Sequence, residues 1–341
     1  MSRISLGLFL SAFLLIPPTP AGAADLKPFP ERDIVSLASA AGHGGTSPWT
    51  MQKAGDVAED GAKLSSPTFA ANGWKSAIVP GTVLNSLVAD GVFPEPYFGT
   101  NNQLERHLIP DISDAGVAFY TYWFRTTFRV PDSFKGRQVW LQFDGINYKA
   151  EIWLNGQKLG DMAGMFNRGL FNITAAANIG GDNALAVLVH PIDPPNGFKQ
   201  KADTKGKAQN ENSNGADGKI GAYVTQLMTS GWDFTFKDGI RDRDTGIWRD
   251  IKLFSSGPVL LRDPFVKTEL PIPDLTKSRE TVSVEVTNAT DQPQKGAVKA
   301  TIPENKIAIS QDVTLAPHET RTVTFSPDTY PVLAFQKPRL W

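Results

Sequence analysis

The sequence predicts an all-β chain made of two consecutive antiparallel sandwiches, and three observations carry that prediction. From Tyr122 onward, short runs rich in aromatic and β-branched residues recur at regular spacing, with hardly any helical period between them. Helical periodicity is nearly absent, confined to Leu84, Leu87 and Val88. Beyond Gly257-Pro258 a second series of runs begins, with stricter alternation than the first.

The N-terminus carries Arg3, an apolar run from Ile4 to Ile16, then Pro17-Pro18 and the small-residue tripeptide Ala21-Gly22-Ala23. This order of charged, apolar and small-residue parts is that of a secretory signal peptide, with cleavage expected after Ala23. About 13 apolar residues are too few to span a bilayer comfortably, which argues against an uncleaved anchor. Residues 24 to 60 are weakly patterned and are expected to hold one strand or a short helix. Val79-Pro80-Gly81-Thr82 leads into the short helical period, and Phe93-Pro94-Glu95-Pro96-Tyr97-Phe98-Gly99-Thr100-Asn101-Asn102 follows as a loop punctuated by proline and glycine.

The first sandwich is assigned to residues 24–256. Its strands are read at Tyr122–Val130, Val139–Gly145, Ala150–Leu154, Gln157–Gly160, Leu170–Thr174 and Ala184–His190. Asn155-Gly156 sits between two of them, and this dipeptide fits a two-residue hairpin turn because both central residues need positive φ. After Pro191 the β pattern stops for some forty residues dominated by Lys, Asn, Gly and Asp, read either as a flap beside a site or as a solvated insertion. A further strand is predicted from the alternation Ile247, Arg249, Ile251, Leu253. Residues 257–341 form the second module, with strands at Phe265–Leu270, Thr281–Thr287, Gly296–Ile302 and Thr320–Phe325, the pattern of a small immunoglobulin-like sandwich.

Composition excludes several classes of function. With 34 basic and 35 acidic residues the net charge is −1, so there is no basic field to hold a nucleic-acid backbone or an anionic membrane, and neither is expected as a partner. The chain has no cysteine, which removes disulfides, thiolate nucleophiles and thiolate metal ligands. The four histidines, at 43, 107, 190 and 318, have no metal-binding spacing. No metal and no cofactor are expected.

The densest concentration of site chemistry is Gly231-Trp232-Asp233-Phe234-Thr235-Phe236, followed by Ile240-Arg241-Asp242-Arg243-Asp244-Thr245-Gly246-Ile247-Trp248-Arg249-Asp250-Ile251. Indole faces stack on sugar rings, while carboxylates and guanidinium groups bond hydroxyls in fixed geometry. Trp248, at the head of an alternating run, has the signature of a packing residue, and Arg243 with Asp242 or Asp244 that of a structural ion pair. Trp232 and Asp233, in a glycine-flanked loop with no evident core role, are the preferred ligand contacts.

These strings resemble the N-terminal region of family 2 glycoside hydrolases, in the branch of β-mannosidases, endo-β-mannosidases of glycoprotein glycans and exo-β-glucosaminidases. The same resemblance is carried by Val79-Pro80-Gly81-Thr82-Val83, Tyr97 to Asn102, Tyr122-Trp123-Phe124-Arg125, Asp144-Gly145-Ile146-Asn147-Tyr148, Trp153-Leu154-Asn155-Gly156 and Gly164-Met165-Phe166. It implies a jelly-roll, galactose-binding-like sandwich, then an immunoglobulin-like domain, then a (β/α)8 barrel that performs retaining hydrolysis with two glutamates. Neither glutamate motif of that barrel occurs here, and the immunoglobulin-like domain is expected to be incomplete at its C-terminal end. No residue of this chain is therefore expected to be catalytic.

By the same resemblance Trp232, Asp233 and Asn101 are the substrate-binding positions, orienting hydroxyls rather than cleaving a bond. The implied partners are a β-linked oligosaccharide or glycan and the missing catalytic barrel, in cis or in trans. The alternative is a free-standing carbohydrate-binding protein without catalysis. An exported chain of this kind is expected in the periplasm or outside the cell.

Overall fold

A computed structural model of the chain describes residues 34–39, 47–101, 106–110, 115–191 and 245–338. It divides the chain into a first unit, Ile34–Ser255, and a second that contains Ser256–Trp341. The predicted signal peptide and most of the polar stretch after Pro191 lie outside the described residues.

The strands of the first unit are β1 (Val35–Ser36), β2 (Thr50–Lys53), β3 (Lys75–Ser76), β4 (Tyr122–Arg129), β5 (Gln138–Phe143), β6 (Lys149–Leu154), β7 (Gln157–Ala163), β8 (Gly169–Asn172), β9 (Asp182–His190) and β10 (Ile251–Ser256). Among the described residues they make a six-stranded sheet in the order β3-β2-β4-β9-β6-β7 and a four-stranded sheet in the order β1-β10-β5-β8. The inward positions of both sheets, Met51, Phe124, Ile152 and Val187 from one and Leu37, Leu141, Phe143 and Leu253 from the other, join a single apolar core. Alternation in β6 shows why: Ala150, Ile152 and Leu154 are buried, while Lys149, Glu151 and Trp153 face the other way and are only partly covered.

Strand β9 is buried on both faces from Asn183 to Val187. Its outer side lies under a second, smaller apolar cluster in which Leu64, Trp123 and Ala186 meet Phe69, Trp74 and Trp153. Arg125 anchors this cover by donating from Nε to the Leu64 carbonyl at 2.9 Å and from Nη2 to the Ser66 carbonyl at 3.1 Å, with its guanidinium carbon 5.6 Å from the centre of the Phe69 ring. A buried cation needs partners of this kind to offset the water it loses.

The Asn155-Gly156 turn joins β6 to β7 with φ of 49° and 88°, the conformation expected for this dipeptide. The Asn155 amide also donates to the Ala176 carbonyl and to Asn183 Oδ1, both at 2.8 Å, which ties the hairpin to the start of β9. The helix Val83–Ala89 is capped by Thr82, whose hydroxyl accepts the Asn85 N–H at 2.9 Å. It buries Val83, Leu84, Ser86 and Leu87.

Two expectations are corrected. Where one strand or a short helix is expected in residues 24 to 60, the described residues there hold two short strands, β1 and β2, and a 3-10 turn at Ala54–Asp56; each strand extends an existing sheet and needs no amphipathic run of its own. The last strand of this unit begins at Ile251 rather than at Ile247. Residues 245–250 are instead bonded to the Asp144–Asn147 corner and to Gly81 and Val83.

In the second unit the strands are β11 (Val259–Glu269), β12 (Lys277–Asn288), β13 (Gln294–Ile302), β14 (Ile307–Leu315), β15 (Thr320–Phe325) and β16 (Ala334–Gln336). Strand β12 pairs with β11, β15 and β16, and β13 pairs with β14 as a separate two-stranded sheet. Val284, Val286, Val298, Leu315, Val323 and Phe325 from both sheets share one core, so this unit too is a sandwich. Strand β14 is missing from the sequence-based assignment because its alternation is interrupted by Gln311 and bordered by half-exposed isoleucines. Asn288, fully buried, joins two turns by donating to the carbonyls of Gln292 and Ala316, each at 2.8 Å.

Candidate functional site

Three separated motifs meet at one corner of the first sandwich. Asp144-Gly145-Ile146-Asn147-Tyr148 leaves β5, Gly164-Met165-Phe166 follows β7, and Thr245-Gly246-Ile247-Trp248-Arg249 precedes β10. Trp248 packs against Tyr148 and Met165 and donates its indole N–H to the Met165 carbonyl at 2.9 Å. Phe166 meets it edge-on with ring centres 5.7 Å apart, and the Arg249 guanidinium lies 5.2 Å from its ring. With its N–H and one ring face occupied, Trp248 acts as a packing residue.

Two glycines permit this closeness. A Cβ on Gly145 would lie 2.8 Å from the Trp248 indole nitrogen and 3.0 Å from the Met165 carbonyl oxygen. One on Gly246 would lie 2.5 Å from the Gly81 carbonyl oxygen. Gly246 and Asn147 exchange two backbone hydrogen bonds of 2.9 Å, while Tyr148 N–H donates to the His190 carbonyl at 3.0 Å. The described residues on either side of 192–244, His190 and Gly246, are therefore bonded to consecutive residues, Tyr148 and Asn147. Val83 N–H, bonded at 2.8 Å to the Thr245 carbonyl, ties the helix Val83–Ala89 to the same point.

Electrostatics at the corner centre on Asp144. Its carboxylate accepts from Lys252 Nζ and Gln142 Nε2, both at 2.6 Å. Partial burial pushes the carboxyl up, but these two hydrogen bonds and the charges of Lys252 and Arg249 outweigh it and hold the group below the usual carboxylate range. Lys252 is raised in turn, chiefly by the hydrogen bond it donates to Asp144. Burial lowers the His190 imidazole, with Glu151 opposing and Lys149 adding to the effect.

Of the sequence-predicted contacts, Asn101 is described and half-buried at the end of the 91–101 turn. Its Nδ2 donates to the Glu95 carbonyl at 3.0 Å and its backbone N–H to the Phe98 carbonyl at 3.2 Å. Trp232 and Asp233 lie outside the described residues, as do Arg241, Asp242, Arg243 and Asp244. What the sequence reading missed is the pairing of Gly145 with Trp248, which are far apart in the chain and leave no local periodic signal.

Residues 49–249 match the family model described as the glycosyl hydrolase 2 galactose-binding domain-like domain. The chain belongs to this family. Among its relatives is the mannosylglycoprotein endo-beta-mannosidase of Lilium longiflorum, 33% identical over 304 residues, which span 86% of this chain and 30% of that protein. The exo-beta-D-glucosaminidase of Streptomyces avermitilis is 30% identical over 326 residues, 94% of this chain and 31% of that protein. Among solved structures the exo-chitosanase CsxA of Amycolatopsis orientalis aligns with a TM-score of 0.64 at 26% identity, over 91% of this chain and 30% of that one. The chain thus spans about a third or less of the length of these family relatives.

Proposed function

We propose that this chain is the sugar-binding and accessory portion of an exported retaining glycoside hydrolase that acts on β-mannosides or β-glucosaminides, its catalytic (β/α)8 barrel lying beyond these residues, in cis or in trans. The observation that carries the reading is the family match over 49–249, together with relatives named for β-mannoside and β-glucosaminide hydrolysis that this chain covers to only 30% and 31% of their length.

In this reading the barrel supplies the two carboxyl groups, about 5 Å apart, that retaining hydrolysis needs. The present chain supplies orientation. Trp232 offers a ring face, and Asp233 and Asn101 offer hydroxyl partners, so that the glycosidic bond is held against the barrel's carboxylates in reactive geometry. The signal-peptide pattern at residues 1–23 supports export.

The test is hydrolysis of chromogenic β-mannoside and β-glucosaminide. The purified chain alone is expected to give no turnover, and the chain joined to its barrel is expected to give product of retained configuration. In the joined polypeptide, Trp232→Ala is expected to lower kcat/KM by about 100-fold, in the range of lost positioning. Turnover by the isolated chain, or a joined polypeptide inactive on both substrates, overturns the proposal.

A further inference from the structure

Strand β11 of the second unit changes register at one point. From Val259 to Arg262 it pairs residue for residue with Asn288 to Glu285, but the next pair is Phe265 with Ser283, so β11 carries one residue more than β12 in between. Asp263, at φ 50°, and Pro264 fill this bulge. Bulges re-aim the side chains that follow them and recur beside functional sites. Here the consequence falls on Phe265. Without the extra residue it would stand opposite Val282, which is buried in the core of this unit. With it, Phe265 stands opposite Ser283 on the outer face and is 63% exposed. A single apolar residue at a surface is ordinary, but a ring turned away from the core by an inserted residue calls for a reason.

The surroundings of the ring decide what it is for. Ser283 has Phe265 opposite it on β11 and Thr324 opposite it on β15, so the three form a row across the sheet, about 10 Å long at two strand spacings. Thr281 and Glu285 flank Ser283 along β12, and Thr322 stands opposite Glu285. Farther along the same face Thr287 and Thr320 bond each other at 2.9 Å, whereas the hydroxyls of Thr281, Ser283, Thr322 and Thr324 have no protein partner among the described residues. The charges on the face are already compensated: Arg262 pairs with Glu285 and Lys267 with Glu269, each at 2.7 Å, and Arg279 pairs with Asp328. Such a face offers an ionic ligand little, and an apolar protein surface would bury four hydroxyls unbonded, at a cost. A ligand with an apolar face for one ring and hydroxyls of its own satisfies both, and that is a neutral sugar chain.

We propose that the outer face of β11, β12 and β15, centred on Phe265, is a further glycan-binding surface that takes a neutral β-linked pyranose chain, on residues other than Asn101, Trp232 and Asp233. Phe265 stacks on the apolar face of one sugar, and the hydroxyls of Ser283 and Thr324, with Thr281 and Thr322 beside them, bond those of the next. One ring on a flat sheet holds a sugar weakly. Its use is to keep a polymer close, so that a second contact on the same polymer becomes an intramolecular event. The choice of a β-mannan as one probe rests on the function proposed above; the surface itself does not.

The test is affinity electrophoresis of the full chain through gels holding galactomannan or hydroxyethyl cellulose, two neutral β-linked polymers, with carboxymethyl cellulose as the charged comparison. The wild type is expected to be retarded by at least one neutral polymer. Phe265→Ser is expected to raise the apparent Kd about fivefold, in the range of a lost ring contact, and to melt as the wild type does because the ring is exposed. Phe265→Trp, with a larger ring, is expected to lower it, a gain that a merely structural role would not produce. A wild type that runs freely in both neutral gels, equal retardation of wild type and Phe265→Ser, or retardation by the charged polymer alone overturns the proposal. Hydrolysis of the chromogenic substrates by the chain joined to its barrel reads the function proposal separately. Inactivity there leaves Phe265-dependent retardation standing, and full activity without that retardation removes the glycan-binding face alone.

Discussion

At the scale of single residues, the corner beside β5 and β10 shows how charge is used. Asp144 and Lys252 are 2.6 Å apart with side chains 16% and 32% exposed, so the pair is partly shielded from solvent. Because the folded carboxyl lies below its unfolded value of about 4, the pair stabilises fully above that pH and the contribution is lost as pH falls through the lower folded value. Lys252→Met is therefore expected to raise the midpoint of acid unfolding and to cost about 1 kcal/mol at pH 7 in a double-mutant cycle with Asp144→Asn. A cycle coupling near zero, followed by urea unfolding, contradicts this. The sequence placed Asp144 in a recognisable motif, but its partner lies 108 positions away, and no pattern along the chain announces that pair.

Elements are where sequence pattern and structure agree most closely. Runs of aromatic, aliphatic and β-branched residues located β4, β5, β6 and β9, because these strands send side chains into one shared core and β4 and β9 are also covered on their outer side. Asn155-Gly156 specified its turn because few residues tolerate positive φ at both central positions. Residues 245–250 behave differently, being shaped by a meeting of backbones. Gly246→Ala would press a methyl group to 2.5 Å from the Gly81 carbonyl and is expected to destabilise the first unit by about 2 to 3 kcal/mol, read from thermal melting. The Ala variant of Gly55, where a Cβ would meet nothing within 4 Å, is the control expected to melt within a degree or two of wild type. Equal melting of both variants would show that the close approach at Gly246 is not maintained in solution.

For the whole molecule, export is proposed from the pattern of the first residues and is checked by mass. A secreted product is expected to begin at Ala24, and an intact mass that includes residues 1–23 contradicts the signal-peptide reading. The all-β class, the two sandwiches and the family were legible in the chain itself, because alternation, turn dipeptides and long motifs are properties of neighbouring residues. So was the absence of thiol chemistry, which follows from composition. Other features depend on groups that are distant in sequence, and only the tertiary structure decided them. It brought the Met165 carbonyl to the indole N–H of Trp248 across 83 positions, giving the packing residue read from the sequence its partner, and it occupied the Asn101 amide within its own turn. It left Tyr97 and Phe98 exposed while packing Phe93 against the core and burying Pro96, a division that an aromatic and proline-rich stretch does not reveal, since burial is settled by which surface the rest of the fold brings up against each ring.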